Sequence, residues 1–252
     1  MNISAIIITR NEEENIKDCM RSLNFSDEVI VVDNNSSDQT KHYAKALGVK
    51  VYEIPGLDFS YLRNVGKEMA KSQWLLYVDA DERISNALAE EIKVAVSNPS
   101  IFSAYRVLRQ NYYFGKLWPN EEKIIRLVRK EALIGWQGKL HETPIVAGKV
   151  GYLTAPLLHY THRDLTSMIK KTNEWSEIEA QLRYKSDHPK MSWWRFFRVM
   201  WTAFLRSYIV EGGWKIGIVG LIESLYQAFS IFITYAKLWE KQNKKQITIH
   251  NE

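Results

Sequence analysis

Asp79 and Asp81 stand two residues apart at the end of an apolar run, Trp74-Leu75-Leu76-Tyr77-Val78, and are followed by Glu82 and Arg83. Five apolar residues in succession predict a strand buried on both faces, because a half-exposed strand alternates with polar positions. In an open α/β sheet the ligand crevice lies outside the carboxyl ends of the strands, so polar chemistry belongs where this strand stops. Side chains two apart on an extended segment point the same way, and two carboxylates so placed can share one hard divalent cation through oxygen. For an isolated Asp-x-Asp the alternative is an acidic turn that caps the next helix.

The elements that position this pair alternate. Residues 4–9 are a short β-branched run, followed by polar Arg10-Asn11-Glu12 and a helical pattern with Ile16, Cys19, Met20 and Leu23 on one side. Val29-Ile30-Val31-Val32 predicts a second buried strand, ending in a polar loop over residues 33–38 that can cap a helix carrying Tyr43, Ala44 and Leu47. Gly48 closes that helix, residues 49–52 form a third strand, and a helix over residues 60–71 presents Leu62, Val65, Met69 and Ala70. Strands and helices alternating at this spacing predict a parallel sheet with helices on both faces. After a helix over residues 86–97 the texture changes. Residues 103–109 and 122–129 are strand-like, residues 133–151 irregular and glycine-rich, and Leu157-Leu158-His159 reads as one more short strand with polar residues at its end. This half is expected to build the other wall of the crevice.

From Asp164 onward the pattern is helical. On a wheel of residues 192–210, Phe197, Trp201, Phe204 and Tyr208 fall on one side and Arg195, Arg198 and Arg206 opposite. Residues 216–239 are more apolar, with a polar stripe of Glu223, Gln227, Ser230, Thr234 and Lys237. At about 36 Å this helix matches a bilayer core of about 30 Å, yet Glu223 is costly against lipid, so the expectation is a packed or interfacial helix and not a spanning one. Residues 161–252 hold 14 Lys and Arg against 9 Asp and Glu, an excess equal to the whole net charge of +5, and six of the nine tryptophans. That mixture suits an anionic membrane surface, with helices packed on the sheet domain as the alternative. A nucleic-acid partner is disfavoured, because the Arg row lies opposite the aromatic stripe and does not interleave with it. The expected division is a sheet domain over 1–160, a helical region over 161–241 and a disordered tail over 242–252. Cys19 is the single cysteine, which excludes an internal disulfide and a multi-cysteine metal site and fits a reducing compartment. The first residues lack the basic start and cleavage site of a signal peptide, and the cytoplasm is the expected location.

Thr9-Arg10-Asn11-Glu12 after the first strand, Asp33 after the second, Leu62-Arg63-Asn64 on a helix and Asp79-Ala80-Asp81-Glu82 together resemble the family-two glycosyltransferases with the GT-A fold. The resemblance is to the subgroup of the β-1,4-glucosyltransferase type that adds sugars to lipopolysaccharide core. Gly138-Lys139-Leu140-His141-Glu142 and Leu158-His159-Tyr160 match that subgroup's later motifs, so the likeness covers nearly the whole chain. It implies an α/β fold, a Rossmann-like mixed sheet with helices on both faces, plus a C-terminal helical region. By resemblance Thr9, Arg10, Asn11, Glu12 and Asp33 hold the nucleotide base and ribose, while Asp79, Ala80 and Asp81 serve the ribose and the metal on the diphosphate. Uracil asks for one acceptor and nearby donors, which a carboxylate beside a polar loop supplies. For Asp33 the alternative is a helix-capping loop. Arg63 matches phosphate oxygens in a bidentate way and is assigned to the donor diphosphate, with a surface salt bridge as the alternative.

Transfer with inversion needs a base for the acceptor hydroxyl, and Glu142 is the candidate, although many relatives carry an Asp-containing motif there. His141 is placed to orient Glu142 or to bind the acceptor, a polar turn before Pro144 is the alternative for both, and Asp58 is the next carboxylate to consider. His159 resembles the family's late histidine, which completes a metal shell through a neutral imidazole, with His162 a weaker competitor. Mg²⁺ and Mn²⁺ both suit such a site. The expectation is therefore an inverting, metal-dependent transferase moving a hexose from a UDP-sugar to a lipid-linked saccharide, peripheral at the inner face of the cytoplasmic membrane. A nucleotidyltransferase is the enzymatic rival, disfavoured by the absence of glycine in Thr9-Arg10-Asn11-Glu12. A non-catalytic donor-binding module is the other.

Overall fold

The computed structural model describes residues 2–56, 58–98, 101–138 and 142–247, the last four by backbone alone. The chain forms two compact units, one of Met1–Gln110 with Glu121–Tyr160 and one of Asn111–Asn120 with Thr161–Glu252. The boundary near residue 160 thus has an addition that the sequence did not suggest: ten residues at the tip of a hairpin group with the helical unit.

The first unit is built on an eight-stranded sheet in the order β3-β2-β1-β4-β7-β6-β10-β5. Its parallel half comprises β1 (Ile3–Thr9), β2 (Glu28–Asp33), β3 (Lys50–Glu53) and β4 (Trp74–Asp79). These strands alternate with α1 (Ile16–Arg21), α2 (Thr40–Ala46) and α3 (Phe59–Met69), and α4 (Asn86–Ser97) follows. β1 is buried at every position, as both-face coverage by helices requires. On one face of the sheet Ile7, Val31, Leu76 and Val78 pack with α1 and α4 residues such as Ile16 and Leu88. On the other, Ile6, Ile8, Val32 and Tyr77 pack with Leu62 of α3. Gly66 lets α3 approach β1 closely, since a Cβ there would stand 2.4 Å from Cγ2 of Ile6.

The other half is more regular than expected. β6 (Phe102–Tyr113) and β7 (Lys116–Arg129) are long strands joined at Phe114 and Gly115, both at positive φ. The segment over 133–151, expected to be irregular, contains β8 (Leu133–Gln137) and β9 (Thr143–Val146), which pair antiparallel, and the start of β10 (Lys149–Tyr160). Glycines at 135, 138, 148 and 151 interrupt the apolar alternation there and hide the strands from pattern reading. β5 (Glu82–Ile84) was also hidden, being three residues long; it pairs antiparallel with β10 and sets His159 opposite Glu82.

In the second unit α5 (Leu165–Lys185), α6 (Trp193–Leu205) and α7 (Ile218–Ile247) share a small core of Ala180, Met191 and Leu238. The polar stripe of α7 lies along its seam with α5. Ser230 accepts from Thr172, Lys237 donates to Asn173 Oδ1 at 2.9 Å, and buried Glu223 takes His162 Nδ1 and Gln227 Nε2 at 2.9 and 2.7 Å. Residues 218–243 form a helix long and apolar enough to cross a membrane, its most apolar 18-residue window having a mean hydropathy of 1.4. α7 is helical through Ile247, past the expected start of a disordered tail at 242, and residues 248–252 lie outside the described residues. On α6 one row of aromatic side chains faces outward, with Trp193, Phe197 and Trp201 76, 69 and 62% exposed, while Phe196 packs against the small core.

Candidate active site

Three strand ends come together at the carboxyl edge of the parallel half. The register sets Thr9 beside Asp33 and Ile8 beside Asp79, so the β1, β2 and β4 loops leave the sheet at one level. The first two loops are stitched to each other. Asn11 N donates to Ser36 Oγ at 2.9 Å, Glu12 N to Thr40 Oγ1 at 2.8 Å and Glu13 N to Asp38 Oδ2 at 3.1 Å, while Asn11 Oδ1 accepts from Ser37 N. Asn11 and Asn35 hold positive φ, a conformation that asparagine tolerates. Arg10 is exposed on this loop.

Asp33 is fully buried and both its oxygens accept from Ser36, one from N at 2.9 Å and the other from Oγ at 2.5 Å. In this arrangement it braces the loop, and Asp38 and Thr40 bond to each other beside it. Beside Asp33, Thr9 Oγ1 and Asn34 Nδ2 are buried and without a hydrogen bond among the described residues. Asn34 adjoins Asp33 in sequence and was not singled out; a donor beside a buried acceptor at a strand end is the signal that could have found it.

At β4 the strand stops at Asp79, and Ala80 and Asp81 turn before β5. The extended geometry that would aim both carboxylates at one cation does not continue to Asp81, and the two end on different partners. Asp79 Oδ1 takes Arg63 Nη2 at 2.8 Å, and its Oδ2 takes Arg126 Nη2 at 2.6 Å. Burial works to raise the Asp79 pKa, but Arg126 and then Arg63 outweigh it and hold the carboxyl well below the usual range. Asp81 instead faces His159, with Oδ2 3.4 Å from Nε2, a juxtaposition fixed by the β5–β10 pairing and by Tyr160 N donating to Asp81 O. Burial lowers the His159 pKa, and Asp81 more than compensates, so it lies above its ordinary value. Among the described residues no three His, Cys, Asp or Glu side chains converge as a ready metal cluster. A carboxylate and an imidazole nevertheless make a donor pair that suits a divalent ion whose remaining ligands come from a diphosphate. Ala80 is buried in the core, which leaves it only its backbone for a ligand.

The Leu62-Arg63-Asn64 motif divides into three tasks. Leu62 is buried in the core, and Asn64 bonds the backbone of Trp136 on β8 in both directions, at 2.9 and 3.1 Å. Arg63, expected on the donor diphosphate, is 3% exposed and spends Nε and Nη2 on Oε1 of Glu142, at 3.0 and 2.8 Å, as well as on Asp79. Its guanidinium carbon lies 4.8 Å from the Trp136 ring centroid. Glu142 thus arrives beside Asp79 through Arg63, and among the described residues nothing donates to its second oxygen, Oε2. His141 lies outside the described residues. Asp58 caps α3, accepting from Tyr61 N and Ser60 Oγ. His162 belongs to the second unit, where it pairs with Glu223 and stacks on Tyr113 at 5.0 Å.

Arg126 was not read from the sequence. It lies in the apolar run Ile124-Ile125-Arg126-Leu127-Val128, and a charge inside such a run must be paired if it is buried. It bonds Asp79 and fully buried Glu82, both at 2.6 Å, and Asp79 and Glu82 raise its pKa against the opposing effect of burial. Glu82 also accepts from Asp79 N at 2.9 Å and faces Arg109 at 3.4 Å. A cavity of about 370 Å³ opens here, lined by Asp79, Glu142 and Trp136 and by arginines of β6 and β7.

A parallel βαβ half with stitched polar loops, continued by a mixed half that brings carboxylates, arginines and a histidine to the same edge, is the architecture of a GT-A transferase. Residues 4–153 match the profile of Glycosyl transferase family 2, and the chain belongs to that family. It is similar to an uncharacterized glycosyltransferase of Rickettsia typhi, 31% identical over 99% of this chain and 91% of that one. It is also similar to the lipopolysaccharide core biosynthesis glycosyltransferase LpsC of Rhizobium meliloti, 28% identical over 96% and 94% of the two chains. The mannosyltransferase PcManGT of Pyrobaculum calidifontis, solved with GDP-Man and Mn²⁺, shares the fold at a TM-score of 0.53 and 14% identity, covering 95% of this chain and 88% of that one.

Proposed function

We propose that this glycosyltransferase moves a hexose from a UDP-sugar to a lipid-linked saccharide such as lipopolysaccharide core, in one displacement that inverts the anomeric carbon. The observation that carries the reading is Glu142 held by Arg63 beside Asp79, with Oε2 turned to no donor among the described residues. In this reading the acceptor hydroxyl gives its proton to Oε2 as its oxygen bonds the anomeric carbon, and the bond from that carbon to the diphosphate oxygen breaks. Arg63 positions the base. Thr9 Oγ1 and Asn34 Nδ2 offer the base and ribose the hydrogen bonds they lack within the protein, with Arg10 to Glu12 and Asp33 shaping the pocket around them. Asp81 and His159, with Asp79 nearby, would hold Mg²⁺ or Mn²⁺, which supplies Lewis-acid stabilisation to the leaving diphosphate when bound. The similarity to LpsC supports a lipopolysaccharide-type acceptor.

Features of the second unit support an acceptor held at a membrane. Trp193, Phe197 and Trp201 project outward, Arg195 and Arg198 lie on the Trp194 ring, and the polar stripe of α7 is used internally against α5. We read this as peripheral attachment to an anionic membrane at its cytoplasmic face. The test of the catalytic assignment is Glu142→Gln. Donor affinity should stay near wild type while turnover falls at least about a hundredfold, since an amide keeps the shape but not the proton affinity. Turnover close to wild type would move the base elsewhere.

A further inference from the structure

The cavity beside Asp79 holds more positive charge than its own carboxylates neutralise. Arg63 is matched by Asp79 and Glu142, Arg126 by Asp79 and Glu82, and Arg109 by Glu82 and Glu122. Arg106 on β6 and Lys123 on β7 also line it, and neither meets a carboxylate among the described residues. Among the described residues Arg106 donates only to the carbonyl of Lys123, at 3.4 Å, and the Lys123 ammonium lies 5.8 Å from the ring centroid of Tyr152. Two unneutralised cations on neighbouring strands repel, which is a cost without a return in stability. Three further donors point to the same need. Nη1 of Arg63, Nε of Arg109 and Nε of Arg126 are buried and have no acceptor among the described residues.

The position of this excess decides which ligand it suits. In the sheet order β6 is two strands beyond β4 and three beyond β1. At a strand spacing of about 4.8 Å, Arg106 then stands about 10 Å past the Asp79 strand and about 14 Å past the strand that begins the nucleotide pocket, on the far side from β2. A diphosphate reached from β1 and β2 stops near Asp79 and Asp81, and what lies farther along the sheet is the sugar and then the acceptor.

We propose that Arg106 and Lys123 form a subsite for an anionic group, a phosphate or a carboxylate, carried by the acceptor saccharide. The assignment rests on reading the cavity as the transfer site. Charge-assisted hydrogen bonds of this kind discriminate a charged from a neutral sugar by about tenfold or more, and the preference weakens with salt.

The test titrates the wild-type chain with glucose 6-phosphate, glucuronate, glucose and inorganic phosphate in the presence of Mg²⁺, followed by saturation-transfer NMR, with and without UDP. The expected result is binding of both charged sugars at least about tenfold tighter than glucose, retained with UDP present. Arg106→Gln with Lys123→Gln should abolish the preference and leave UDP affinity unchanged, each single variant losing part of it. Inorganic phosphate should compete with the charged sugars. Equal affinity for charged and neutral sugars, or a preference that survives the double variant, overturns the proposal. Displacement of the charged sugars by UDP also overturns it, because the cations would then belong to the donor's diphosphate. UDP affinity is read in the same titrations. A wild type that fails to bind UDP yet holds charged sugars through Arg106 and Lys123 would refute the transferase reading and leave the anionic subsite standing.

Discussion

Arg126→Gln is the substitution whose consequence the structure sets most sharply. The residue is 5% exposed and neutralises Asp79 and Glu82 at once, and Glu82 is fully buried. Replacing a buried ion with well-packed apolar groups can be neutral when its partners go with it, but removing one partner leaves its counter-charges uncompensated, at about 3–5 kcal/mol. Arg63 still holds Asp79 and Arg109 still faces Glu82, at a longer 3.4 Å, so the lower part of that range is expected at pH 7. The pH dependence follows from Asp79. Its folded pKa lies below its unfolded value, so its contribution is complete above the unfolded pKa of about 3.9 and is lost as pH falls through the folded pKa. The variant weakens that depression while Arg63 still holds Asp79 below its unfolded value, so the stability gap between the two proteins is full at pH 7 and narrows only as the pH falls through the variant's own Asp79 pKa, below about 3.9. Urea unfolding of both proteins at pH 7 and at about pH 2.5 measures the gap. A loss under about 1 kcal/mol at pH 7, or a gap that widens in acid, would refute the ion-pair account.

Two further outcomes are expected. Cys19 is fully buried and burial pushes its thiol well above the ordinary value, so a thiol reagent at pH 8 should leave it unmodified in the native protein and label it fully in urea; native-state labelling would show that α1 opens from the sheet. The full chain should cosediment with anionic vesicles at low salt and be released at high salt, whereas a chain ending at Asp187 should stay in the supernatant. Failure of the folded full chain to bind would return the aromatic face of α6 to a protein partner.

The parallel half was legible because apolar strands and amphipathic helices there follow their periods, and its loops begin where those periods stop. The mixed half was legible only in part. β8 and β10 each contain a glycine, β9 is four residues long with Pro144 in it, and β5 is too short to show a period, yet β5 is what brings His159 opposite Glu82 and Asp81 against His159. Residue type alone is also silent at single positions, since sequence cannot tell a carboxylate or guanidinium aimed at a ligand from one that a neighbour engages; Asp33 closes on Ser36, and Arg63 bonds Asp79 and Glu142 while its Nη1 is left without an acceptor among the described residues. Arg126 went unread for the converse reason, because its partners Asp79 and Glu82 lie more than forty residues away and meet it only through the β4–β7 pairing.

Thermal unfolding with UDP-glucose and Mn²⁺, for the wild type and for Asp81→Ala, bears most directly on the claim that this edge of the sheet binds an activated sugar. A ligand at a hundred times its dissociation constant stabilises the native state by about 2.7 kcal/mol, which at about 2–4 °C per kcal/mol raises the midpoint by about 5–10 °C. That rise is expected for the wild type only when nucleotide sugar and metal are both present, and none is expected for Asp81→Ala relative to its own unliganded midpoint. Protection of Asp81→Ala equal to that of the wild type, or no protection of the wild type by UDP-, GDP- or ADP-sugars, would contradict it.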